Sequence, residues 1–291
     1  MVSNPLPTPA PAPGDASTTG TGGTDLDELA PAPASPSELA AALTEAEQAI
    51  RQLGVDPSVT ARWGRRQQHL YGVLSANPDW GQEVMASIDP SVSEAASLNW
   101  KARQALDSLL RTEALLPTLP AWRIDEPRPA DELLGYYHEA SDATGVPWSV
   151  LAAINLVETK MGRINGLSTA GAVGPMQFLP STWAECCEGD PTNEPDAIRG
   201  AAEYLIDRGG ATNLDRAIFG YNNSDHYVSA VQAYAAVLDQ DEWAYHGYHA
   251  WEVYYRSSAG LVRLPVGYEQ TELVDAATWI EANQADLVPT P

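Results

Sequence analysis

The stretch VLAAINLVETKMGRINGLSTAGAVGPMQFLPSTW, residues 150–183, decides the fold of this chain. Its first half is apolar, and Leu151, Ile154 and Glu158 follow the spacing of one stripe of a helix. Such a stripe normally faces a core, so Glu158 is predicted to be a carboxylate with little access to water. Loss of hydration disfavours the charged form and raises the pKa of the carboxyl group toward neutrality. The stretch therefore predicts a residue suited to general acid catalysis.

The alternative is that Glu158 is an ordinary surface glutamate, or one paired with Lys160 or Arg163. No cation precedes it in the apolar run, and Lys160 at the second following position points away if the helix continues. Gly162 is expected to end the helix one turn later. Three further glycines predict tight turns and close contacts between backbone segments: Gly166, Gly171 and Gly174. A helix followed by such a loop can form the wall and floor of a cleft.

Five short motifs carry a resemblance to a known family: Glu158-Thr159, Met161-Gly162-Arg163, Ser168-Thr169-Ala170-Gly171-Ala172, Gly174-Pro175-Met176-Gln177-Phe178 and Tyr221-Asn222. In order and approximate spacing they resemble the signature of the lytic transglycosylase domain of the SLT type, over roughly residues 133–238. Pro175 before the Met-Gln pair makes the chain similar to the membrane-bound lytic murein transglycosylase subgroup. The resemblance implies a lysozyme-like fold. It also implies cleavage of peptidoglycan between N-acetylmuramic acid and N-acetylglucosamine.

The resemblance assigns Glu158 the role of catalytic acid and base. Four further residues match positions that bind the sugar or reach the carboxylate region: Ser168, Gln177, Tyr221 and Asn222. Thr159 replaces the serine that is commonest after the glutamate, and it keeps a hydroxyl group. No metal and no cofactor are expected.

The motif region offers only one obvious catalytic carboxylate, whereas ordinary glycosidases use two. Asp190, Glu194 and Asp196 lie in the polar segment EGDPTNEPD, which predicts a loop and a helix start. The resemblance then implies that the muramoyl C6 hydroxyl attacks in place of water and leaves a 1,6-anhydromuramoyl end. Two alternatives stay open. One is a lysozyme-like hydrolase, and the other is an inactive glycan-binding scaffold protein, against which the intact motif residues argue.

The formal net charge of −23 over 291 residues excludes a nucleic-acid partner, since no basic stripe is present. Peptidoglycan stems also carry carboxylates, so the charge does not steer the chain to them, and solubility explains it better. Glycan strands are the expected partner, with proteins of cell-wall synthesis or division as further candidates. Met1 leads into VSNPLPTPAPAPGDAS without a signal or membrane segment. We interpret the chain as the mature part of an extracytoplasmic protein of the cell envelope, secreted or lipid-anchored. Its only expected contact with a membrane is through an N-terminal anchor that is missing from this sequence.

The fold class is predicted to be mainly α, with five parts along the chain. They are a disordered Pro/Ala-rich tether at residues 1–36, a helical N-terminal region at 37–116, a Pro-rich link at 117–130, a lysozyme-like catalytic domain at 131–240 and an aromatic-rich extension at 241–291. In the N-terminal region we expect a helix from Ser37, as its cap, to Gly54. A second helix, from about Val59 to Met85, is predicted to break near Asn77-Pro78, and a third covers 92–110. This region is interpreted as a scaffold rather than a separate binding module.

Three further helices are predicted in the catalytic region, starting at Ser181, spanning Pro195 to Arg208 and spanning Ser224 to Leu238. Pro147 suits the first turn of the helix that carries Glu158. The tail WAYHGYHAWEVYY, residues 243–255, either packs the extension onto the domain or stacks on sugar rings, and packing is favoured. A short strand is expected at 262–265.

Cys186 and Cys187 are adjacent, and neighbouring cysteines lie too close for a relaxed disulfide. Two reduced thiols are therefore favoured over a vicinal disulfide. No histidine stands at ligand spacing from the pair, which argues against a metal site.

Overall fold

The computed structural model describes residues 31–52, 54–110 and 115–287, and within them the chain is mainly helical. The helices are α1 Pro36–Ile50, α2 Pro57–Ala76, α3 Gly81–Ser87, α4 Ser93–Leu110, α5 Ala130–Thr144, α6 Trp148–Thr159, α7 Pro180–Cys186, α8 Glu194–Asp207, α9 Leu214–Asn222, α10 Asp225–Gln240, α11 Ala244–His249 and α12 Ala276–Ala282. The strands are β1 Thr118–Leu119, β2 Arg123–Ile124, β3 Ile164–Asn165, β4 Val253–Ser257, β5 Gly260–Leu264 and β6 Val274–Asp275. The mainly α prediction is confirmed. The tether predicted at 1–36 lies outside the described residues except for its last six.

The cap of the first helix lies two residues before the predicted one. Ser35, not Ser37, is the N-cap, and its hydroxyl accepts a hydrogen bond from the Glu38 amide at 3.3 Å. Pro36 then takes the first helical position, which needs no amide donor. The helix ends at Ile50, short of Gly54.

The break predicted at Asn77-Pro78 is confirmed. Helix α2 ends at Ala76, a 3-10 turn covers Pro78–Trp80, and α3 follows. Proline lacks the amide that would continue the helix, so the chain changes direction there.

The N-terminal helices form their own small core and also enter the central one. Buried residues of the small core are Leu39, Leu43, Leu70, Leu74, Val84 and Trp100. Ala95 and Ala102 of α4 belong instead to the central cluster, where α4 packs against α10. On α2, Gly64 faces Gly247 so closely that an added Cβ would stand 2.3 Å from the Gly247 carbonyl oxygen. This packing agrees with the scaffold interpretation.

Helix α6 runs through the central core, against α5, α8 and α10. Every residue from Ser149 to Leu156 is buried, as expected of a helix that is apolar on all sides. Pro147 is its N-cap and precedes the first turn in which it was predicted. The three other predicted helices are present as α7, α8 and α10, and Ser224 caps the last of them.

Three two-stranded antiparallel sheets accompany the helices in the described residues. They pair β1 with β6, β2 with β3 and β4 with β5, and the strand expected at 262–265 is present as β5. The strands contribute to one buried cluster, which includes Leu119, Ile124, Val262, Leu264 and Tyr268. The predicted link at 117–130 thus supplies two strands, and the five domain boundaries stay predictions.

The aromatic tail mostly packs the chain. Tyr245, Tyr248 and Trp251 are buried in the central cluster. The Tyr248 hydroxyl donates to Asn99 Oδ1 at 2.5 Å, and the Trp251 indole donates to Gln67 Oε1 at 3.1 Å. The favoured packing interpretation is confirmed for these three residues.

Cys186 and Cys187 form a disulfide, so the expectation of reduced thiols is wrong. The reason lies in the backbone. Helix α7 ends at Cys186, and Cys187 is already extended, with φ −136° and ψ 158°. The backbone therefore changes conformation between the two residues, and their being neighbours does not prevent the bond. None of the described helices is long and apolar enough to cross a membrane.

Candidate active site

Glu158 lies in the last turn of α6, with its carboxyl group partly buried. The Tyr227 hydroxyl, on α10, donates a hydrogen bond to Glu158 Oε1 at 2.5 Å. Burial raises the pKa of Glu158 from 4.5 to about 7, although the Tyr227 hydrogen bond and the charge of Lys160 act in the opposite direction. The group is thus placed to hold a proton near neutral pH and to release it.

Two tyrosines stack behind the carboxylate. The rings of Tyr221 and Tyr227 are 6.2 Å apart and nearly parallel, at 6°. The Tyr221 hydroxyl donates to the Met176 carbonyl oxygen at 2.8 Å. Burial, then the neighbouring Glu158, raises the pKa of Tyr227 well above its ordinary range, so its hydroxyl stays a donor. The stack links Glu158 to the loop that follows α6.

The end of α6 is tied to the same loop by buried polar groups. Asn155 Nδ2 and the Thr159 hydroxyl both donate to the Pro175 carbonyl oxygen, at 2.7 and 2.6 Å. The same hydroxyl accepts from the Gly162 amide at 3.0 Å. The hydroxyl that Thr159 keeps therefore fixes the helix end against residues 174–177.

The loop holds Ser168 and Gln177 mainly through its own backbone. Ser168 Oγ accepts from the amides of Ala170 and Ala172, at 3.2 and 3.0 Å. Gln177 adopts a left-handed conformation, φ 51°, and its Nε2 donates to the Gly174 carbonyl oxygen at 3.0 Å. Both side chains are half-buried.

A close backbone contact supports this loop. Gly174 has φ 75°, and an added Cβ would stand 1.8 Å from the Pro191 carbonyl oxygen. Glycine is therefore required at this position for two independent reasons.

The structure joins Glu158 and Tyr221 through Tyr227, which the sequence interpretation missed. The sequence does contain a pattern that predicts burial of Tyr227. It belongs to a helically spaced set of residues that are all buried: Tyr227, Ala230, Val231 and Tyr234. Asn222 is the last residue of α9 and is exposed. The side-chain hydrogen bonds of Ser168 and Gln177 go to their own loop among the described residues, so their sugar contacts stay predictions.

The structure changes the expectation about Lys160 and agrees with the expectation that Arg163 does not pair with Glu158. Helix α6 ends at Thr159, not near Gly162, and Lys160 adopts a left-handed conformation with φ 54°. The argument that Lys160 points away along a helix is therefore wrong, and its charge acts on Glu158. Arg163 is not paired with Glu158, since its guanidinium contacts Glu126 at 3.5 Å and the His249 carbonyl oxygen at 3.0 Å.

Residues 135–244 match the family model of the Transglycosylase SLT domain. This chain carries a transglycosylase SLT domain. The match overlaps the range 133–238 of the sequence resemblance, while the membrane-bound subgroup is not resolved. Comparison with curated proteins and comparison with solved structures each found no match.

Within the SLT domain, the carboxylates of the acidic segment after α7 form hydrogen bonds and ion pairs with other residues of the protein. Asp190 Oδ1 accepts from the Thr192 amide and hydroxyl, at 2.8 and 2.7 Å. Glu194 lies 3.3 Å from Arg128, and Asp196 lies 2.8 Å from Arg199. These carboxylates build the loop and the start of α8, as predicted. In the described part of the chain, no group of three or more His, Cys, Asp or Glu residues is arranged to hold a metal ion.

Proposed function

We propose that this protein is a peptidoglycan lytic transglycosylase that uses Glu158 as its single acid and base. The observation that carries the proposal is the Glu158 carboxyl group, whose pKa is raised to about 7 inside an SLT domain. No second carboxylate is among the groups that shift this pKa in the described residues. One carboxyl group that protonates near neutrality suits a reaction in which the same group first donates a proton and then accepts another.

In the proposed reaction, Glu158 donates its proton to the oxygen that joins N-acetylmuramic acid to N-acetylglucosamine. The bond from C1 of the muramoyl sugar to this oxygen breaks, and the 2-acetamido group stabilises the resulting cation. Glu158, now ionised, takes the proton of the muramoyl C6 hydroxyl. That oxygen bonds to C1 and closes the 1,6-anhydro ring. No water is consumed, and Glu158 ends protonated.

The residues around Glu158 fit this cycle. Tyr227 donates to the carboxylate whenever it is ionised and lowers the pKa that burial alone would give. Ser168, Gln177, Tyr221 and Asn222 are proposed to contact the glycan strand. Because the proposed substrate lies in the cell wall, we propose that the protein acts outside the cytoplasm, at the cell envelope, with proteins of wall synthesis or division as candidate partners.

The direct test is digestion of purified peptidoglycan with the wild type and with Glu158→Gln. We expect soluble muropeptides from the wild type only, since glutamine has the shape of glutamate but no proton to give. Circular dichroism of the variant checks that its fold is intact. Release by the variant at the wild-type rate would contradict the role of Glu158, and release by neither protein would favour a glycan-binding role.

A further inference from the structure

Lys160 is one of only two lysines in the sequence and follows Glu158 by two residues. It ends α6 in a left-handed conformation, and its ammonium group folds back onto the helix. Nζ donates to the Leu156 carbonyl oxygen at 3.0 Å and lies 3.5 Å from that of Val157. The only cation that contacts these carbonyls in the described residues thus lies at the helix end that carries Glu158.

This helix end disfavours a negative charge. The last carbonyl groups of a helix have no partner within it and carry a partial negative charge. A carboxylate in the last turn meets that charge in addition to its loss of hydration. The Leu156 carbonyl also accepts from the Lys160 amide at 3.2 Å. The Lys160 ammonium opposes both effects, because it lies against the Leu156 and Val157 carbonyl oxygens and adds a positive charge beside them.

The charged and titratable groups that interact with this pair come from four elements, and Tyr221 on α9 is one of them. Glu158 is on α6, Arg103 is on α4, and Tyr227 is on α10. Burial, with a further contribution from Arg103, lowers the pKa of Lys160 to about 8, while Glu158 raises it. Lys160 therefore carries most of its charge at pH 7, where Glu158 exchanges its proton.

We propose that Lys160 is a positioning residue for the reaction: its ammonium group caps the end of α6 and stabilises the Glu158 carboxylate formed between the two proton transfers. The inference rests on the proposed function of Glu158. Lys160 itself neither gains nor loses a proton in the cycle. The proton goes from Glu158 to the bridging oxygen, and another returns from the C6 hydroxyl.

The activity test compares Lys160→Met and Lys160→Arg across pH, with Lys101→Met as the matched control. Lys101 is the other lysine, exposed on α4. Loss of the Lys160 charge raises the pKa of Glu158, so the alkaline limb of the pH–rate profile should move to higher pH. The maximal rate should fall about tenfold, the effect expected from one pKa unit of lost stabilisation. Lys160→Arg should keep the position of the limb, and Lys101→Met should match the wild type.

A second variant separates charge from backbone strain. Asparagine accepts the left-handed conformation more readily than methionine, so Lys160→Asn removes the charge and suits the helix end. It should move the alkaline limb as far as Lys160→Met does. A limb that stays in place in both variants would overturn the inference, as would an equal displacement in Lys101→Met.

A measurement without activity distinguishes this inference from the proposed function. Reductive ¹³C-methylation labels both lysines, and the Lys101→Met protein leaves one lysine signal beside that of the amino terminus. We expect the Lys160 signal to titrate below the ordinary lysine range, because burial lowers its pKa. Glu158→Gln should lower it further, because the neighbouring anion is lost. A Lys160 titration that Glu158→Gln leaves unchanged would refute the coupling, even if the protein degrades peptidoglycan.

Discussion

Glu158 is held in the fold at an energetic cost that depends on pH. Its pKa in the folded protein, about 7, exceeds the ordinary value of 4.5, so the unfolded chain loses this proton first as pH rises. The stability contributed by the protonated group is fully present below pH 4.5 and is lost as pH rises through 7. Above that range the fold carries a penalty of about 3 kcal/mol.

Glu158→Gln should therefore stabilise the protein at pH 8 and change it little at pH 5. The free energy of unfolding from urea titrations at both pH values measures this, with an expected gain at pH 8 of up to about 3 kcal/mol. A gain of the same size at both pH values would show that ionisation of Glu158 is not its cause.

The Tyr227 hydroxyl is predicted to support the ionised form of Glu158. Tyr227→Phe keeps the ring that stacks on Tyr221 but removes the donor to Oε1. The pKa of Glu158 should rise and kcat should fall by about tenfold or more, in line with the loss of a hydrogen bond to a charged group. The pH dependence of muropeptide release checks both effects. Tyr234→Phe, on the buried face of the same helix, is the control, and an equal loss in both variants would argue for a packing effect.

At the scale of single residues, the sequence predicted the features that depend on neighbours within the same helix. Glu158 was found because the apolar stripe around it lies within one helix. Its contact with Tyr227 spans 69 residues, so no local pattern places the two side chains together. Lys160 was misjudged because its direction depends on a left-handed residue that ends the helix early.

At the scale of elements, the loop between α6 and α7 depends on one close backbone contact. Gly174→Ala would press Cβ onto the Pro191 carbonyl oxygen and also strain a φ of 75°. Gly171 has a similar φ of 81°, but open space surrounds its Cβ position. Gly171→Ala should therefore cost about 1 kcal/mol from strain alone. Gly174→Ala should cost more and also reduce muropeptide release, because the loop carries Gln177.

Thermal unfolding and release assays on this pair of variants test that account. Equal effects of Gly171→Ala and Gly174→Ala on both quantities would show that the Pro191 contact does not hold the loop. We expect the unfolding temperature and the release of muropeptides to decrease in the order wild type, Gly171→Ala, Gly174→Ala.

Helix positions were predicted where the sequence marks them with proline, glycine or a capping side chain. Ser224 and Asn77-Pro78 are examples of signals that act within a few residues. The β pairings were not predicted, because Thr118 pairs with Asp275 from the other end of the chain. The Cys186–Cys187 disulfide was not predicted, because the prediction rested on the closeness of neighbouring residues and not on the end of helix α7 between them.

For the whole molecule, the N-terminal helices are part of the central core. Helix α4 supplies Ala95 and Ala102 to that core and packs along α10, which carries Tyr227. A fragment limited to residues 131–240 would expose the face of α10 that α4 covers. We expect this fragment to lack cooperative thermal unfolding and to bind a hydrophobic dye, whereas residues 31–287 should unfold cooperatively. A cooperatively folded, active 131–240 fragment would contradict this prediction.

The central claim is that one carboxyl group drives a cleavage that consumes no water. Digestion of purified peptidoglycan by the wild type in H₂¹⁸O, followed by mass spectrometry of the new glycan ends, tests it most directly. We expect 1,6-anhydromuramoyl products that carry no ¹⁸O and are lighter by one water than hydrolytic products. Reducing ends labelled with ¹⁸O would contradict it and would identify a lysozyme-like hydrolase.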